Sequence, residues 1–468
     1  AQNGQAAKPV EAPTVLNNTA KKVVLFASPY LPAFDGSSGG KRATRMLGLL
    51  AEEFEVFAFT LGNKPEKHIQ KLESLGVKVF RSNDFQEVKR MVPQVDAFIF
   101  SFFYTYFDCG KFLGLYPGTP VIIDSVDVHW VRHERSRGLW PDLTDDIIKK
   151  KKALEIEVYQ KADIVWAVTE QDKQAILEEV PGADVRIVSN VHSPEATAYT
   201  DPGNNNLLFM GGFAHYPNII AVKKLALDIF PKIKQQVGSA RLVIAGSQAP
   251  QEVMDLGKLP GVEFLGFIEE NSIGDLYKNA FLALAPLQAG AGIKGKICEA
   301  ISYRVPVVTN SIGNEGIGLV NEQSGLVSDS DEELVKLAVK ALGRGYELGK
   351  MTQAAQSKLY DLVGPKTVKK NMLQSIAVPE VSICIVTWNK QKLLQRCIES
   401  IENHTQGIKY RILVYSNGCT DGTRQYLEAA ARLNPNIVPI LSDTNDVFVI
   451  PNNRMVQLFP ANDVVLLN

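Results

Sequence analysis

The chain has 468 residues, with 50 Lys and Arg against 51 Asp and Glu and an apolar content of 45%. This length predicts about three domains, the near-neutral balance excludes a nucleic-acid binder built on a basic stripe, and the composition excludes a disordered chain. The longest apolar stretch, Val95–Phe107, is shorter than the ~20 residues that span a bilayer and carries Asp96.

Residues 1–21 have neither the basic start nor the apolar core of a signal peptide and read as a linker or disordered segment. From Lys22, apolar runs alternate with helical patterns. KKVVLFASPY, EVFAFTL, VKVF, DAFIFSFF, TPVIIDS, ADIVWAVT and DVRIVSN read as strands, and KRATRMLGLLAEEF reads as the helix after the first of them. Such alternation predicts a parallel sheet covered on both faces. The polar stretch HSPEATAYTDPGNNN closes this domain, residues 22–200. A second run, NLLFMGG, ARLVIAG, VEFLGF, AFLALAPL and VPVVTNS, is followed by helices over Asp331–Ser375 and makes a domain of residues 201–378. Two doubly wound, Rossmann-like α/β domains imply a cleft between them where a ligand sits. A third alternation occupies residues 379–468: VSICIVTWN, a helix through Ile401, YRILVYSNG, a helix through Arg432, and VVLLN. It reads as part of a further α/β domain.

The cysteines, Cys109, Cys298, Cys384, Cys397 and Cys419, are scattered and never form a CxxC pair. Reduced thiols, no metal site and a cytoplasmic location are the expectation.

The chemistry concentrates in AFLALAPLQAGAGIKGKICEAISYRVPVVTN. A strand ends at Pro286, the loop carries Gly290, Gly292 and Gly295, and a helix opens near Lys296. Glycines allow close backbone approach, and the free N–H groups of a helix start attract phosphate. Lys294 and Lys296 add two cations there, and Glu299 offers a carboxylate to ribose hydroxyls. In the first domain, Gly39 and Gly40 lie between the first strand and helix. IIDSVDVHWVRHER places Asp124, Asp127 and His129 at a strand exit, the edge that faces the cleft. Arg132, His133, Glu134 and Arg135 read as a solvated charged helix face.

The segment around Lys294 resembles the donor-site signature of family-4 glycosyltransferases of GT-B fold. LLFMGGFAHYPNIIAV, ARLVIAGSQAP and GVEFLGFIEENSIGDLYKNA stand in that family's order, and the resemblance spans about residues 22–375. It implies a nucleotide-diphosphate sugar as donor, with Lys294 and Lys296 on the diphosphate and Glu299 on the ribose. Gly266, Phe267 and Ile268 would lie against the base, Gly39, Gly40, Gly212 and Gly292 would line the donor site, and Asp127 and His129 would face the reacting sugar or acceptor. Two positions depart from the family pattern. Ala291 stands where a first glutamate is common, and the stretch Gly212 to Asn218 lacks the usual Arg and Lys.

VSICIVTWNKQKLLQRCIESI and VYSNGCTDGTRQYL resemble the opening of family-2 glycosyltransferases of GT-A fold. There Thr387, Trp388 and Asn389 would border the nucleotide, with Asp421 in the next turn and Ser416 where an acidic residue is usual. The resemblance implies the N-terminal half of such a domain, and a divalent metal only for a complete one. Together the two resemblances imply a retaining hexosyltransferase that needs no metal in its GT-B part. Its acceptor would be a glycan, a lipid-linked molecule or a protein, in bacterial surface-glycan synthesis. It would bind no nucleic acid, and it would be cytoplasmic, with at most peripheral association at the inner membrane surface. A nucleotide-sugar 2-epimerase and a non-catalytic GT-B scaffold are the alternatives.

Overall fold

The computed structural model describes residues 14–15, 21–117, 119–140, 142–376, 381–405, 408, 410–434, 436–458 and 463–467. The chain forms two compact units, Lys22–Leu373, and Ala1–Lys21 together with Gln374–Asn468.

Lys22–Leu373 holds two parallel sheets. The first has seven strands: β1 (Val23–Ala27), β2 (Glu55–Phe59), β3 (Lys78–Val79), β4 (Ala97–Ser101), β5 (Val121–Asp124), β6 (Ile164–Ala167) and β7 (Val185–Ile187). Their order is β3-β2-β1-β4-β5-β6-β7, so the winding reverses between β1 and β4. The second sheet has β8 (Asn206–Met210), β9 (Arg241–Ala245), β10 (Val262–Gly266), β11 (Leu282–Ala285), β12 (Val307–Thr309) and β13 (Leu326–Val327). Its order is β10-β9-β8-β11-β12-β13, with the reversal between β8 and β11. Inner strands such as Ala97–Ser101 and Val121–Asp124 are buried along their whole length, because helices cover both faces. β13 is the one strand of these sheets that the apolar pattern does not announce.

The helices that carry polar groups toward the reversals are α1 (Ser38–Ala51), α2 (His129–Arg135), α3 (Asp145–Lys161), α4 (Glu170–Glu179), α5 (Tyr216–Lys224) and α6 (Gly295–Ser302). Ser37 caps α1 and Thr169 caps α4 through their side-chain oxygens. Past the second sheet, the helix Pro365–Ile376 returns to the first domain. Lys369 pairs there with Glu52 and Glu53, and Asn371 donates to the carbonyl of Ile187.

The second unit is a sheet of β14 (Val381–Thr387), β15 (Tyr410–Asn417), β16 (Ile437–Ser442) and β17 (Asp463–Leu467), with helices α7 (Gln391–His404) and α8 (Thr423–Leu433). Its order is β16-β15-β14-β17, all parallel, and the pair Thr14–Val15 adds antiparallel to β16. The linker expected over residues 1–21 otherwise falls almost wholly outside the described residues. β16 was not expected because IVPILS contains Pro439, which cannot donate to a ladder. Pro439 lies opposite Val414 in the parallel pairing with β15.

Candidate functional site

The loop after β11 delivers the second domain's chemistry. Gly290 and Gly292 have φ of 136° and 65°, and a Cβ on Gly292 would stand 3.3 Å from Asp127 Cβ and 3.6 Å from Asp172 Oδ2. Only glycine fits both the left-handed backbone and this approach to the first domain. Lys294 follows at the N-cap of α6, 8% exposed, donating to the Gly292 carbonyl and, at 3.2 Å, to Glu315 Oε2. Burial lowers its pKa, with Glu315 opposing. Lys296 donates to Asn218 Oδ1 and lies 4.7 Å above the Phe209 ring. Burial, and then the neighbouring Lys294, bring its pKa down to about 7. Glu299 Oε2 accepts from the Tyr277 hydroxyl at 3.1 Å, and Oε1 lies 3.5 Å from Lys41 Nζ of α1. Lys41 also pairs with Glu270 at 2.8 Å.

Gly39 and Gly40 correct the sequence reading slightly, since they form the first turn of α1 and do not precede it. Gly40 is needed for contact, because a Cβ there would press to 2.8 Å from the Ala33 carbonyl. A Cβ on Gly295, the first residue of α6, would overlap Ser38 Oγ, the first residue of α1. The two helices therefore meet start to start.

The exit of β5 separates structural from available groups. Asp124 is fully buried and takes Arg42 Nη1 at 2.7 Å and Ser101 Oγ at 3.2 Å, so it is a core ion pair. Val126 then has φ of 65°, unusual for a β-branched residue. Asp127 pairs with Arg132, and His129 Nδ1 lies 3.4 Å from its Oδ1. Oδ1 is buried and receives no hydrogen bond among the described residues. Burial alone would raise its pKa, but Arg132, His129 and His215 outweigh that and hold it below the usual carboxylate range. His129 is buried beside the edges of Phe103 and Tyr104. Its backbone N–H donates to Glu155 Oε1 of α3 at 3.1 Å, and Trp130 N–H donates to Oε2 at the same distance.

The rest of α2 bears out the expected solvated face only in part, since Glu134 and Arg135 are exposed and Arg132 and His133 are not. His133 is buried, and burial first, then Arg132, drops its pKa to about 4. Arg132 holds Asp127, and Arg135 reaches Gly290 and Glu315 of the second domain. Asp172 was also missed. It lies beside Gly292 and accepts from Thr169 Oγ1 at 2.8 Å, and burial raises its pKa to about 6. The Thr-x-x-Asp pattern of a helix start is the signal that marks it. For Arg135, Glu315 and Lys41 no local pattern exists, since their partners lie far along the chain.

Gly212 follows β8, and its carbonyl accepts from Asn218 Nδ2 at 2.7 Å. A Cβ on the preceding Gly211 would come within 3.2 Å of Lys296 Nζ. Lys296 thus brings a cation to the β8 exit, the loop that lacks its own Arg and Lys. Phe267, 52% exposed, and the partly buried Ile268 follow β10, two strands from the β8–β11 reversal.

In the other unit, Thr387 is buried, Trp388 is 59% exposed, and Asn389 has φ of 49°. Asn389 Oδ1 accepts from Thr420 N at 2.7 Å, and Ser416 is buried within β15. Asp421 accepts from the N–H groups of Gln391 and Thr423, both at 3.2 Å, and from Thr423 Oγ1 at 2.6 Å. Among the described residues no group of three His, Cys, Asp or Glu side chains could hold a metal ion, and no helix is long and apolar enough to cross a membrane.

Residues 204–343 match the family model described as Glycosyl transferases group 1, and residues 382–452 match Glycosyl transferase family 2. A search of the curated proteins finds no match. Among solved structures, sucrose-phosphate synthase from Thermosynechococcus elongatus is 13% identical with a TM-score of 0.58, covering 76% of this chain and 98% of that one. Anabaena HepE in complex with UDP-glucose is 15% identical with a TM-score of 0.57, covering 76% and 99%. A mutant of S. aureus TarM, in complex with Fondaparinux, alpha-GlcNAc-glycerol and UDP, is 11% identical with a TM-score of 0.50. That match covers 62% of this chain, which spans 58% of the TarM chain. The two sheets of Lys22–Leu373 have the GT-B fold, and the chain carries two glycosyltransferase-family segments.

Proposed function

We propose that this chain transfers a hexosyl group from a nucleotide-diphosphate sugar to a glycan or related acceptor, with the donor held between α1 and α6. One observation carries the reading: two helix starts, from two domains, converge beside Lys294 and Lys296 at the reversals of both sheets. A helix start carries roughly +0.5 of a charge, so this point of the fold favours a diphosphate. The leaving diphosphate gains its stabilisation there as charge develops on it. Each charge-assisted contact contributes about 1.5–3 kcal/mol.

Glu299 supplies the ribose acceptor, already aimed by Tyr277 and Lys41. Asp127 offers a buried, ionised oxygen that takes no hydrogen bond among the described residues, at the strained exit of β5, suited to a hydroxyl of the sugar or acceptor. His129 and Arg132 hold that carboxylate in place. The lysines and helix starts do the work of a divalent ion, so no metal is assigned to this unit. The family resemblance further supports retention of anomeric configuration and an acceptor in surface-glycan assembly. The complexes of HepE with UDP-glucose and of TarM with UDP and glycan molecules support a uridine nucleotide as the first donor to try.

The test is incubation of the full chain with UDP-sugars and an acceptor panel, read by mass spectrometry, with NMR for the anomer. Acceptor-dependent transfer that persists in EDTA is expected. Isomerised donor formed without acceptor would replace this reading with epimerisation, and no turnover with any donor would leave a scaffold.

A further inference from the structure

Arg135 closes α2 in the first domain, but its guanidinium is used in the second. Nη1 donates to the Gly290 carbonyl and to Glu315 Oε2, each at 2.8 Å, and Nη2 donates to Glu315 Oε1 at 2.8 Å. The Glu315 side chain is 10% exposed, and its Oε2 also receives Lys294 Nζ at 3.2 Å. One buried carboxylate is therefore shared by a cation of its own domain and a cation of the other.

We propose that Arg135 is a positioning residue that neutralises Glu315 where the two domains meet and so frees the Lys294 ammonium to turn to the donor's diphosphate. The inference rests on the glycosyltransferase reading above. A buried carboxylate must keep a counter-ion, because an uncompensated charge there is strongly destabilising. Without Arg135 the counter-ion of Glu315 is Lys294 alone, held two ways by Glu315 and the Gly292 carbonyl. The unshielded carboxylate would also repel an arriving diphosphate. With Arg135 in place, both Glu315 oxygens are satisfied by a planar fork that fits a carboxylate. The same guanidinium also donates to the Gly290 carbonyl, a neutral contact that adds little beside the charge of Glu315. Donor binding thereby senses domain contact through a residue that need not touch the donor.

The test uses the full chain, with UDP as the probe in titration calorimetry and thermal melting as the folding control. Arg135→Ala should weaken UDP at least tenfold, and Arg135→Lys, which keeps the charge but loses the fork, should fall between. The double variant Arg135→Ala/Glu315→Gln should recover to within threefold of wild type, because glutamine leaves no charge to hold Lys294. A clasp that merely joins the domains would leave the double variant as weak as Arg135→Ala, and that result would overturn the proposal, as would unchanged affinity in Arg135→Ala. If Arg135→Ala does not fold, Glu315→Gln alone decides, since weaker UDP binding than wild type contradicts the release of Lys294. A wild-type chain that binds neither UDP nor UDP-glucose removes the transferase reading itself, and this inference with it.

Discussion

The helix starts after β11 and after β14 and β15 look alike in sequence, each following an apolar parallel strand and a polar turn, yet their polar groups are used differently. Asp421 gives its oxygens to backbone N–H groups at the beginnings of α7 and α8 and to the Thr423 hydroxyl. Asn389 is tied the same way to Thr420. At α6, Lys294, Lys296 and Glu299 instead reach side chains from other elements, Lys294 holding the Gly292 carbonyl as well, and no side chain caps the helix. A polar group matched to the nearest backbone donor is holding the fold. One whose partners are side chains of other elements can exchange them for a ligand. Nucleotide binding should therefore follow Lys22–Leu373 and be indifferent to Asp421.

The largest effect expected from that contrast is on the lysines and the ribose carboxylate. Lys294→Ala, Lys296→Ala and Glu299→Ala should each lose on the order of 1.5–3 kcal/mol of UDP binding, roughly ten- to a hundredfold in Kd. Circular dichroism should stay unchanged, since these groups lie at a helix start and not in the apolar core. Equal UDP affinity in all three variants would place the nucleotide elsewhere and break the comparison.

A smaller and more specific effect concerns pH. Lys296 titrates near 7 in the free protein, because burial and Lys294 oppose its charge. A bound diphosphate favours the charged form, so the complex keeps the proton to higher pH. Above pH 7 the free lysine has lost the proton and binding must restore it. UDP affinity should therefore fall as pH rises, by up to about tenfold per unit. The nucleotide's own terminal phosphate gains a proton near pH 6, which limits binding on the acid side. Lys296→Arg stays charged throughout and should flatten the alkaline limb. Calorimetry of both proteins from pH 6 to 9 checks this, and an unchanged alkaline slope in the arginine variant would contradict it.

Much of this arrangement is legible in the sequence, and the limits are physical. The strands of both doubly wound sheets except β13 are visible because burial on two faces demands continuous apolar runs, as in VVLFA and AFIFS. Lys294, Lys296 and Glu299 are visible because one loop and one helix carry all three. Arg135 is exposed as expected, but its partner is not legible, since a charged helix end looks the same with or without Glu315, 180 residues further on, folded against it. Asp124 and Asp127 stand three residues apart, yet one is locked to Arg42 inside the sheet and the other lies past the left-handed residue Val126. Local pattern ranks neither above the other. Position relative to the end of a strand decides.

The smallest expected effect is the sharpest control. Asp421 is exposed, and its pKa lies below the ordinary value, chiefly through the Thr423 hydrogen bond with the Gln391 and Thr423 N–H groups adding to it. Its contribution to stability is therefore present at neutral pH and lost as pH falls through that lowered value. Asp421→Ala should strip hydrogen-exchange protection from the first turns of α7 and α8, while Asp421→Asn should retain part of it, because an amide oxygen still accepts. The UDP affinity of the full chain should be the same in both variants as in wild type. If Asp421→Ala leaves amide protection intact but weakens UDP, then Asp421 serves the nucleotide in this chain. The distinction between locally matched and exchangeable groups would then fail at the residue that fits it best.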